Sequence, residues 1–218
     1  HLSWLKDLDV DGIYFADLAV YMLAQDLGIK EKLIYAPGMT VANSEDVAEY
    51  TRLGIGGLEL ANELTLEEKI QIAHNNPHQV GIVISGYLLM SYSKSKVLSN
   101  YFREIKKDVN LEENYDLRLK ERTRDGHMPV YEDAEGSYIY SEYVFHSFKV
   151  MKTLLEAPFK YFRIDGIFLE IGLIEDLLDA YEAQVVGRTD NFLDFIETKY
   201  PQYKFDDIFY HTKTSEVK

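Results

Sequence analysis

The stretch GIYFADLAVYMLAQDLGIKEKLIYAP, residues 12–37, decides the fold class of this chain. It begins with a short apolar run that is typical of a buried strand, continues as a helical segment, and ends in a second apolar run. Gly28 follows the helical segment, and glycine is the residue that most readily closes the C-terminus of a helix. A buried strand, a helix and another buried strand in this order predict a parallel βαβ unit.

The same strand–helix pattern recurs along the first half of the chain. Strands are predicted at 32–37, 57–62 and 79–85, which places successive strand starts roughly 20 to 25 residues apart. Thr65 and Glu68 have the spacing of a capping box, which predicts that a helix starts at this point. Because apolar strands alternate with helices, the pattern favours a parallel sheet that is covered by helices.

The middle of the chain breaks this pattern. Residues 115–141 alternate polar and apolar side chains around two turn signals, which predicts two or three antiparallel strands inserted into the repeat. An amphipathic helix is expected over 143–158, with Phe145 and Phe148 on its apolar face. A fifth core strand is predicted at 161–170, and a further helix follows it.

Five strand–helix units fit either an open doubly wound sheet or an incomplete (β/α)8 barrel. Such a barrel usually needs about 250 residues, whereas this chain has 218 and begins without Met. We therefore favour an α/β, (β/α)8 TIM-barrel-like fold that is N-terminally incomplete. The expected domains are a partial (β/α) barrel at 1–188, with the β insertion at about 115–141, and a C-terminal helix and tail at 189–218.

Composition narrows the possible functions. The chain has 37 acidic and 23 basic residues, a formal charge of −14 that repels phosphate backbones, so non-specific nucleic-acid binding by this chain alone is not expected. It has no cysteine, which excludes disulfides and thiolate-held zinc or iron–sulfur centres within the chain. No signal peptide and no membrane segment are recognised, and we expect a cytoplasmic protein without a cofactor.

Polar residues at the predicted strand ends are the candidates for chemistry, because ligands bind at the C-terminal ends of strands in both architectures. Glu63 and Asp165 are weak candidates for proton transfer or cation binding. The alternative for Glu63 is a favourable charge at a helix N-terminus, and the alternative for Asp165 is a turn-forming Asp-Gly pair. Asn62 is a further candidate ligand-binding residue at the same strand end.

The stretch GYLLMSYSKSKVLSNYF, residues 86–102, is interpreted as a loop that follows an apolar strand. It supplies Ser91, Tyr92, Ser93 and Lys94, whose hydroxyl and ammonium groups suit a small anionic ligand. The alternative is a solvated connection without a ligand. The residues alone leave both interpretations open.

Four segments, in this order, resemble peptidase family U32, also called collagenase-like. The resembling segments are LELANELTLEEK (58–69), GYLLMSYSKSKVLSN (86–100), PVYEDAEGSYIYS (129–141) and FRIDG (162–166). Gly86, Ser91, Tyr92, Ser93, Leu98, Ser99 and Glu63 match the family pattern. Leu89 and Lys96 stand where the family signature has two cysteines, Ser85 stands for its histidine, and Asn62 and Ile167 stand for two arginines.

The resemblance implies a (β/α)8-like barrel with an inserted β-hairpin region. It also implies that the loop at 86–100 is the remainder of a metal-cluster loop, because the cysteines that hold an iron–sulfur cluster in many members are absent. The chain is similar to a cysteine-free subgroup, namely the first subunit of a protein pair that hydroxylates tRNA. The implied function is 5-hydroxylation of the tRNA wobble uridine by a prephenate-linked route.

The resemblance further implies the partners. A cysteine-containing paralogue is the expected heterodimer partner, tRNA is expected to bind through the complex, and a prephenate-like small molecule is a possible ligand. One alternative is a collagenase-like peptidase, although the sequence contains no recognisable nucleophile–base pair or zinc motif to support it. Another alternative is a barrel that binds a small anionic metabolite near Tyr92, Ser93 and Lys94.

Overall fold

The computed structural model describes residues 3–7, 9–111, 114–122 and 126–212. By its internal contacts the chain divides into two compact units, each made of discontinuous segments. The first unit comprises His1–Ile84, Lys149–Arg163 and Asp207–Lys218, and the second comprises Ser85–Phe148 and Ile164–Asp206.

Strands and helices alternate through the first half of the chain that the structure describes. The strands are β1 (Ile13–Phe15), β2 (Leu33–Tyr35), β3 (Gly57–Glu59), β4 (Val80–Ser93), β5 (Arg118–Leu119), β6 (Met128–Glu132), β7 (Ser137–His146), β8 (Tyr161–Ile164) and β9 (Phe205–Asp206). The α-helices are α1 (Leu18–Leu27), α2 (Ser44–Arg52), α3 (Leu66–Asn75), α4 (Val97–Glu104), α5 (Met151–Glu156), α6 (Ile171–Val185) and α7 (Phe192–Lys199).

The first unit is the predicted parallel sheet. β1, β2, β3 and the beginning of β4 pair in this order, and every pairing is parallel. Leu58 and Ile82 are completely buried on the central strands. Central strands that are buried on both faces explain why their sequences are continuous apolar runs. At the edge of this pattern β8 pairs with β4, and the amide of Lys160 donates to the carbonyl of Val80 at 2.7 Å.

The helix termini of the first unit follow the local sequence signals. The Thr65 amide donates to the Glu68 carboxylate at 2.8 Å, and the Glu68 amide donates to the Thr65 hydroxyl at 3.3 Å, so the predicted capping box is confirmed. Gly28 ends α1 with a φ of 70°, a left-handed conformation that side chains disfavour. These signals act within a few residues, which is why the sequence shows them directly.

The second unit is built mainly on antiparallel pairing, although the short strand β9 pairs with β7 in parallel. The outer part of β4 pairs with β7, β7 with β6, and β6 with β5, so the predicted antiparallel insertion is confirmed. β7 reaches His146, however, and the helix expected over 143–158 is wrong for its first residues, because only Met151–Glu156 form α5. Val144 and Phe145 are buried in the sheet, where their apolar side chains serve a strand as well as they would serve a helix.

β4 also corrects the interpretation of residues 86–93 as a loop. This strand continues through Ser93, and its outer part carries a pairing irregularity on each side of Leu89. Such bulges twist a strand locally without ending it. The Ser- and Tyr-rich composition of this stretch therefore belongs to an antiparallel strand with an exposed face, and the turn begins only at Lys94.

The fold class is mixed α/β, as predicted, and the closed (β/α)8 arrangement stays a prediction. In the C-terminal region α7 forms as expected, and Tyr210 in a following short 3-10 helix is buried. The end of the expected tail, residues 213–218, lies outside the described residues. Within the described ranges, no helix combines the length and the apolar character that crossing a membrane requires.

Substitution of Gly86 tests whether the second unit depends on the close approach of Gly86 to the Asp165 backbone, and Gly28 is the matched control. Both have positive φ, 128° and 70°, but a Cβ on Gly86 would collide with the backbone oxygen of Asp165, whereas a Cβ on Gly28 would meet nothing within 4 Å. Gly28→Ala should cost about 1 kcal/mol of unfolding free energy, and Gly86→Ala about 3 kcal/mol or more. Urea unfolding measures both, and equal losses would contradict the close approach.

Candidate functional site

An open cavity of about 830 Å³ lies in the second unit beside the turn that follows β8. Parts of β4, β5 and β7, the residues 167–170 and the segment 202–204 form its walls. The turn follows the C-terminal end of β8, and the sequence pattern predicts ligand binding at such strand ends. Its lining combines aromatic, basic and acidic side chains, namely Tyr87, Tyr115, Asp116, Arg118, His127, Glu142, Ile167, Phe168, Leu169, Glu170, Gln202, Tyr203 and Lys204.

Phe168 is the central aromatic residue of this cavity. Its φ of 60° is unusual for a bulky residue and is held in a turn where the Leu169 amide donates to the Gly166 carbonyl at 3.0 Å. The Phe168 ring makes edge contacts with Tyr140 at 5.1 Å, Tyr115 at 6.0 Å and Tyr87 at 6.1 Å between centroids. Packing of this kind can hold a strained backbone, and such strain is commonly found at ligand sites.

Arg118 places a positive charge on the aromatic wall. Its guanidinium carbon lies 5.6 Å from the centroid of the Phe168 ring, and its Nη1 donates to the carbonyls of Tyr115 at 2.6 Å and Leu117 at 2.9 Å. These contacts orient the guanidinium group while the side chain remains exposed. A fixed guanidinium beside aromatic faces suits a ligand that has both a planar group and a carboxylate or phosphate.

The other charges of the cavity are mixed. Lys204 adds a positive charge, whereas Asp116, Glu142 and Glu170 oppose it, and the Glu170 carboxylate already accepts from Gln202 at 2.8 Å. Burial raises the pKa of Tyr87, which the Arg118 charge offsets only in part, so this phenol is protonated at neutral pH and can donate a hydrogen bond. The described lining contains no serine, threonine or cysteine.

The predicted ligand residues of β4 lie elsewhere in the second unit. Ser91 and Tyr92 are on the exposed end of β4, where the Tyr92 hydroxyl donates to the Glu135 carbonyl at 3.0 Å. The Ser93 hydroxyl accepts from the Ser95 amide at 3.1 Å, which stabilises the turn before α4. Lys94 is exposed in this turn. These side chains line the hairpin surface and do not belong to the lining of the cavity.

Asn62 and Glu63 belong to the first unit and follow β3. The Lys69 ammonium group donates to the carbonyls of Asn62 and Leu64, at 2.9 Å each, and so ties this turn to α3. Burial lowers the pKa of Lys69 to about 7, and the nearby Glu68 carboxylate opposes this only in part. Glu63 is exposed at the same turn, and its proposed catalytic role stays a prediction.

Asp165 forms a turn, in agreement with the alternative interpretation of its Asp-Gly pair. Its carboxylate accepts from the Ile167 amide at 3.1 Å, and its own amide donates to the Ser85 carbonyl at 2.8 Å. Through this turn Asp165 positions Ile167 and Phe168 in the cavity wall. Asp165 is therefore a positioning residue beside the cavity, and its suggested catalytic role stays a prediction.

Glu132 explains why Ser99 and Leu98 fit the motif that surrounds the missing cysteines. This buried carboxylate on β6 accepts from the amides of Leu98 at 2.8 Å and Ser99 at 3.1 Å, and also from the Ser99 hydroxyl. Ser137 donates to it at 2.5 Å. Burial alone would raise the pKa of Glu132, but these hydrogen bonds lower it overall. Glu132 thus caps the N-terminus of α4, where the cap residue provides no side-chain bond.

In the first unit, Glu59 is a buried acidic residue. Its carboxylate forms a bidentate pair with Arg163 on β8, with nitrogen–oxygen distances of 2.6 and 2.9 Å. The Arg163 guanidinium also lies 5.7 Å from the centroid of the Tyr14 ring.

Across the described residues, no group of three or more His, Asp or Glu side chains is placed to hold a metal ion.

Sequence patterns did not identify several of these residues as parts of a site. The strand-end rule indicates Asp165 but not Phe168, which follows three residues later. Tyr115 and Arg118 were assigned only to an alternating strand segment, and nothing local indicates that they approach the turn after β8. Glu132 lies in a motif that was noticed, but a cap supplied by a residue more than 30 positions away in sequence leaves no local signal.

Comparison with known proteins supports the resemblance. The model of peptidase family U32 matches residues 1–212 of the chain. The tRNA hydroxylation protein P2 of Bacillus subtilis (strain 168) is 28% identical over 170 residues, which are 77% of this chain and 55% of that protein. The chain therefore spans about half the length of this curated relative. No solved structure matches the chain.

Glu132 gives a pH-dependent prediction. Because its folded pKa is lowered, its stabilising effect is present at neutral pH and is lost as the pH falls through the folded pKa. Glu132→Gln should destabilise the protein by about 2–4 kcal/mol at pH 7, with a smaller difference from wild type near pH 4. Urea unfolding at both pH values measures this.

The matched control for Glu132 is Glu135→Gln, because Glu135 is exposed at the turn of the same hairpin. Its unfolding midpoint should remain within experimental error of wild type at both pH values. An equal effect of both substitutions would show that Glu132 is not the cap of α4.

Proposed function

Since the chain belongs to peptidase family U32, we propose that it is a subunit of a complex that hydroxylates the wobble uridine of tRNA to 5-hydroxyuridine. The observation that carries this proposal is the similarity to tRNA hydroxylation protein P2 over most of the described chain. A cytoplasmic location agrees with this role. The resemblance to the first subunit of a hydroxylation pair stays a prediction.

The chain does not supply an iron–sulfur cluster in this proposal. Leu89 and Lys96 occupy the two positions at which the resembled signature has cysteine. Leu89 lies on β4 opposite Tyr140, and Lys96 is exposed at the start of α4. Neither side chain is a ligand for iron, so these residues do not fit a cluster. A cysteine-containing paralogue would supply it within a heterodimer, and tRNA would bind to that complex.

The aromatic cavity supports a role in binding a small anionic molecule such as prephenate. Arg118 and Lys204 can pair with carboxylates, and the rings of Phe168 and Tyr115 line the same cavity, where they can contact an unsaturated ring. This moves the proposed anion site away from Tyr92, Ser93 and Lys94. A partial (β/α) barrel at 1–188 with a C-terminal segment at 189–218 is the domain arrangement that we propose to carry this site.

Proteolysis is the alternative that the family name suggests. Hydrolysis of casein or gelatin by the purified chain would support it. In the described cavity no serine, threonine or cysteine side chain is present to act as a nucleophile.

The first test is nucleoside mass spectrometry of tRNA from a strain that lacks this gene. We expect loss of 5-hydroxyuridine derivatives and full recovery with the wild-type gene. Arg118→Ala should restore less than about a tenth of the wild-type level, on the assumption that a charge-assisted contact of about 1.5–3 kcal/mol is lost. Arg52→Ala is the matched control, since Arg52 is an exposed arginine of α2 paired with Glu49 in the first unit, and it should restore the full level. Unchanged tRNA in the deletion strain would overturn the proposal.

Prephenate binding is tested separately on the purified chain. We expect prephenate to raise the melting temperature of the wild type and of Arg52→Ala, and to leave that of Arg118→Ala unchanged, because only the last lacks the charge in the cavity. An equal rise for all three proteins would show that prephenate does not bind at this cavity.

A further inference from the structure

Lys69 is a buried basic residue on α3 in the first unit, where its side chain is only 2% exposed. Its Nζ donates to the carbonyls of Asn62 and Leu64 at 2.9 Å each. Removing an ammonium group from water is costly, and lysine is rarely buried to this extent. Carbonyl oxygens carry only partial charges, so these two hydrogen bonds offset only part of that cost.

The short 3-10 helix Ile208–Tyr210 covers this ammonium group. The centroid of the Tyr210 ring lies 5.3 Å from the Lys69 Nζ, and Tyr210 is itself only 3% exposed. An aromatic face attracts a cation, but it also takes the place of water that would solvate the charge. Burial lowers the pKa of Lys69 to about 7, so the loss of water outweighs the opposing charge of Glu68.

The contact between α3 and the 3-10 helix depends on Tyr210. Ile208, in the same short helix, is 44% exposed. An open cavity of about 580 Å³ lies beside Tyr210, with the start of α3 and the side chain of His211 in its walls. A segment that is held mainly by one buried ring can separate from α3 without unfolding of the sheet, because regions with few buried contacts open locally at low cost.

We propose that proton uptake by Lys69 releases the 3-10 helix Ile208–Tyr210 from α3. A charged ammonium group regains water when Tyr210 moves away, whereas a neutral amine gains little. By linkage, protonation therefore favours the uncovered state and deprotonation favours the covered state. A neutral amine keeps two N–H donors, so the turn at 62–64 stays held while Lys69 is covered.

This release responds to mild acidification. Because the pKa of Lys69 is about 7 in the covered state, its charge changes across the neutral range. Release of Tyr210 would expose the first turns of α3, next to the turn that carries Asn62 and Glu63. The inference goes beyond the proposed function and does not depend on it, since it concerns the protonation of this chain alone.

The carboxylates near Lys69 modify this response. Glu68, the neighbouring residue on α3, favours the charged form of Lys69 and so limits the effect of burial. Its carboxylate is held in the capping box with Thr65. Glu63 and Glu67, in the preceding turn and the first turn of α3, are exposed, and water screens their charges.

The C-terminal segment contains one further group that titrates in the neutral range, His211. Its Nε2 lies 3.8 Å from the Asp207 carboxylate, which also pairs with Lys149 at 3.3 Å. Protonation of His211 would strengthen its contact with Asp207 inside the same segment. The experiment therefore has to separate His211 from Lys69.

Amide hydrogen exchange of the purified chain at about pH 6 and about pH 8.5 tests the release. The reporters are the amides of residues 210–212, which donate to the carbonyls of Asp207 and Ile208 at 2.9 to 3.0 Å. After correction for intrinsic exchange rates, their protection should be about 5- to 30-fold lower at the acidic pH, for a lysine that regains part or all of its ordinary pKa when it is uncovered. Equal protection at both pH values would overturn the proposal.

Three variants identify the group that takes up the proton. Lys69→Met keeps the length of the side chain but cannot be charged, so protection of residues 210–212 should be the same at both pH values. Lys152→Met, at an exposed lysine of α5 in the same unit, is the matched control and should keep the full pH dependence. His211→Gln should keep it as well, and its loss in that variant would assign the effect to the imidazole and overturn the proposal.

A direct titration of Lys69 does not require the folding of Lys69→Met, which removes the donor to two carbonyls. Carbon-13 labelling of the lysine ε-carbons lets nuclear magnetic resonance follow the charge of Lys69 in the wild type and in Tyr210→Leu. The midpoint should lie at about pH 7 in the wild type and rise by about one unit or more in Tyr210→Leu, because the ammonium group is then less covered. Circular dichroism checks that the variant is folded. An unchanged midpoint in Tyr210→Leu would show that Tyr210 does not control the burial of Lys69 and would overturn the proposal.

Discussion

The close approach of Gly86 to the backbone of Asp165 is the constraint on which the rest of the second unit depends. Gly86 has a φ of 128°, and its missing side chain leaves room for the Asp165 carbonyl. β4 pairs in parallel with β3 at Val80 and Gly81, and from Ser85 onward it pairs antiparallel with β7. At Asp165 the chain turns and directs Phe168 into the aromatic cavity. One glycine therefore permits both the long strand and the wall of the candidate site.

Residues 86–100, which resemble a metal-cluster loop, are held in this chain by hydrogen bonds. Leu89 lies where β4 bulges, and Lys96 begins a helix whose cap is supplied from β6 by Glu132. Neighbouring residues that match the family pattern, such as Ser99 and Gly86, have clear structural roles here. Agreement with the motif is thus explained by folding, without any requirement for the cluster.

The distribution of charge bears on how an acidic chain could take part in the proposed modification of tRNA. A formal charge of −14 argues against broad affinity for nucleic acids. The exposed basic side chains of residues 94–107 nevertheless concentrate positive charge at one place in the second unit, while Arg118 provides a separate cation in the cavity.

The sequence by itself determined the parallel strand–helix repeat, the capping box at Thr65 and Glu68, the antiparallel insertion and the family. Each of these depends on side-chain periodicity or on contacts within a few residues, so each is written locally. Only the tertiary structure decided that residues 86–93 form a strand, that 143–146 extend β7, and that Tyr115, Arg118 and Phe168 share one cavity. These outcomes depend on pairing and packing between residues far apart in the chain, and local propensity cannot specify which distant partners meet.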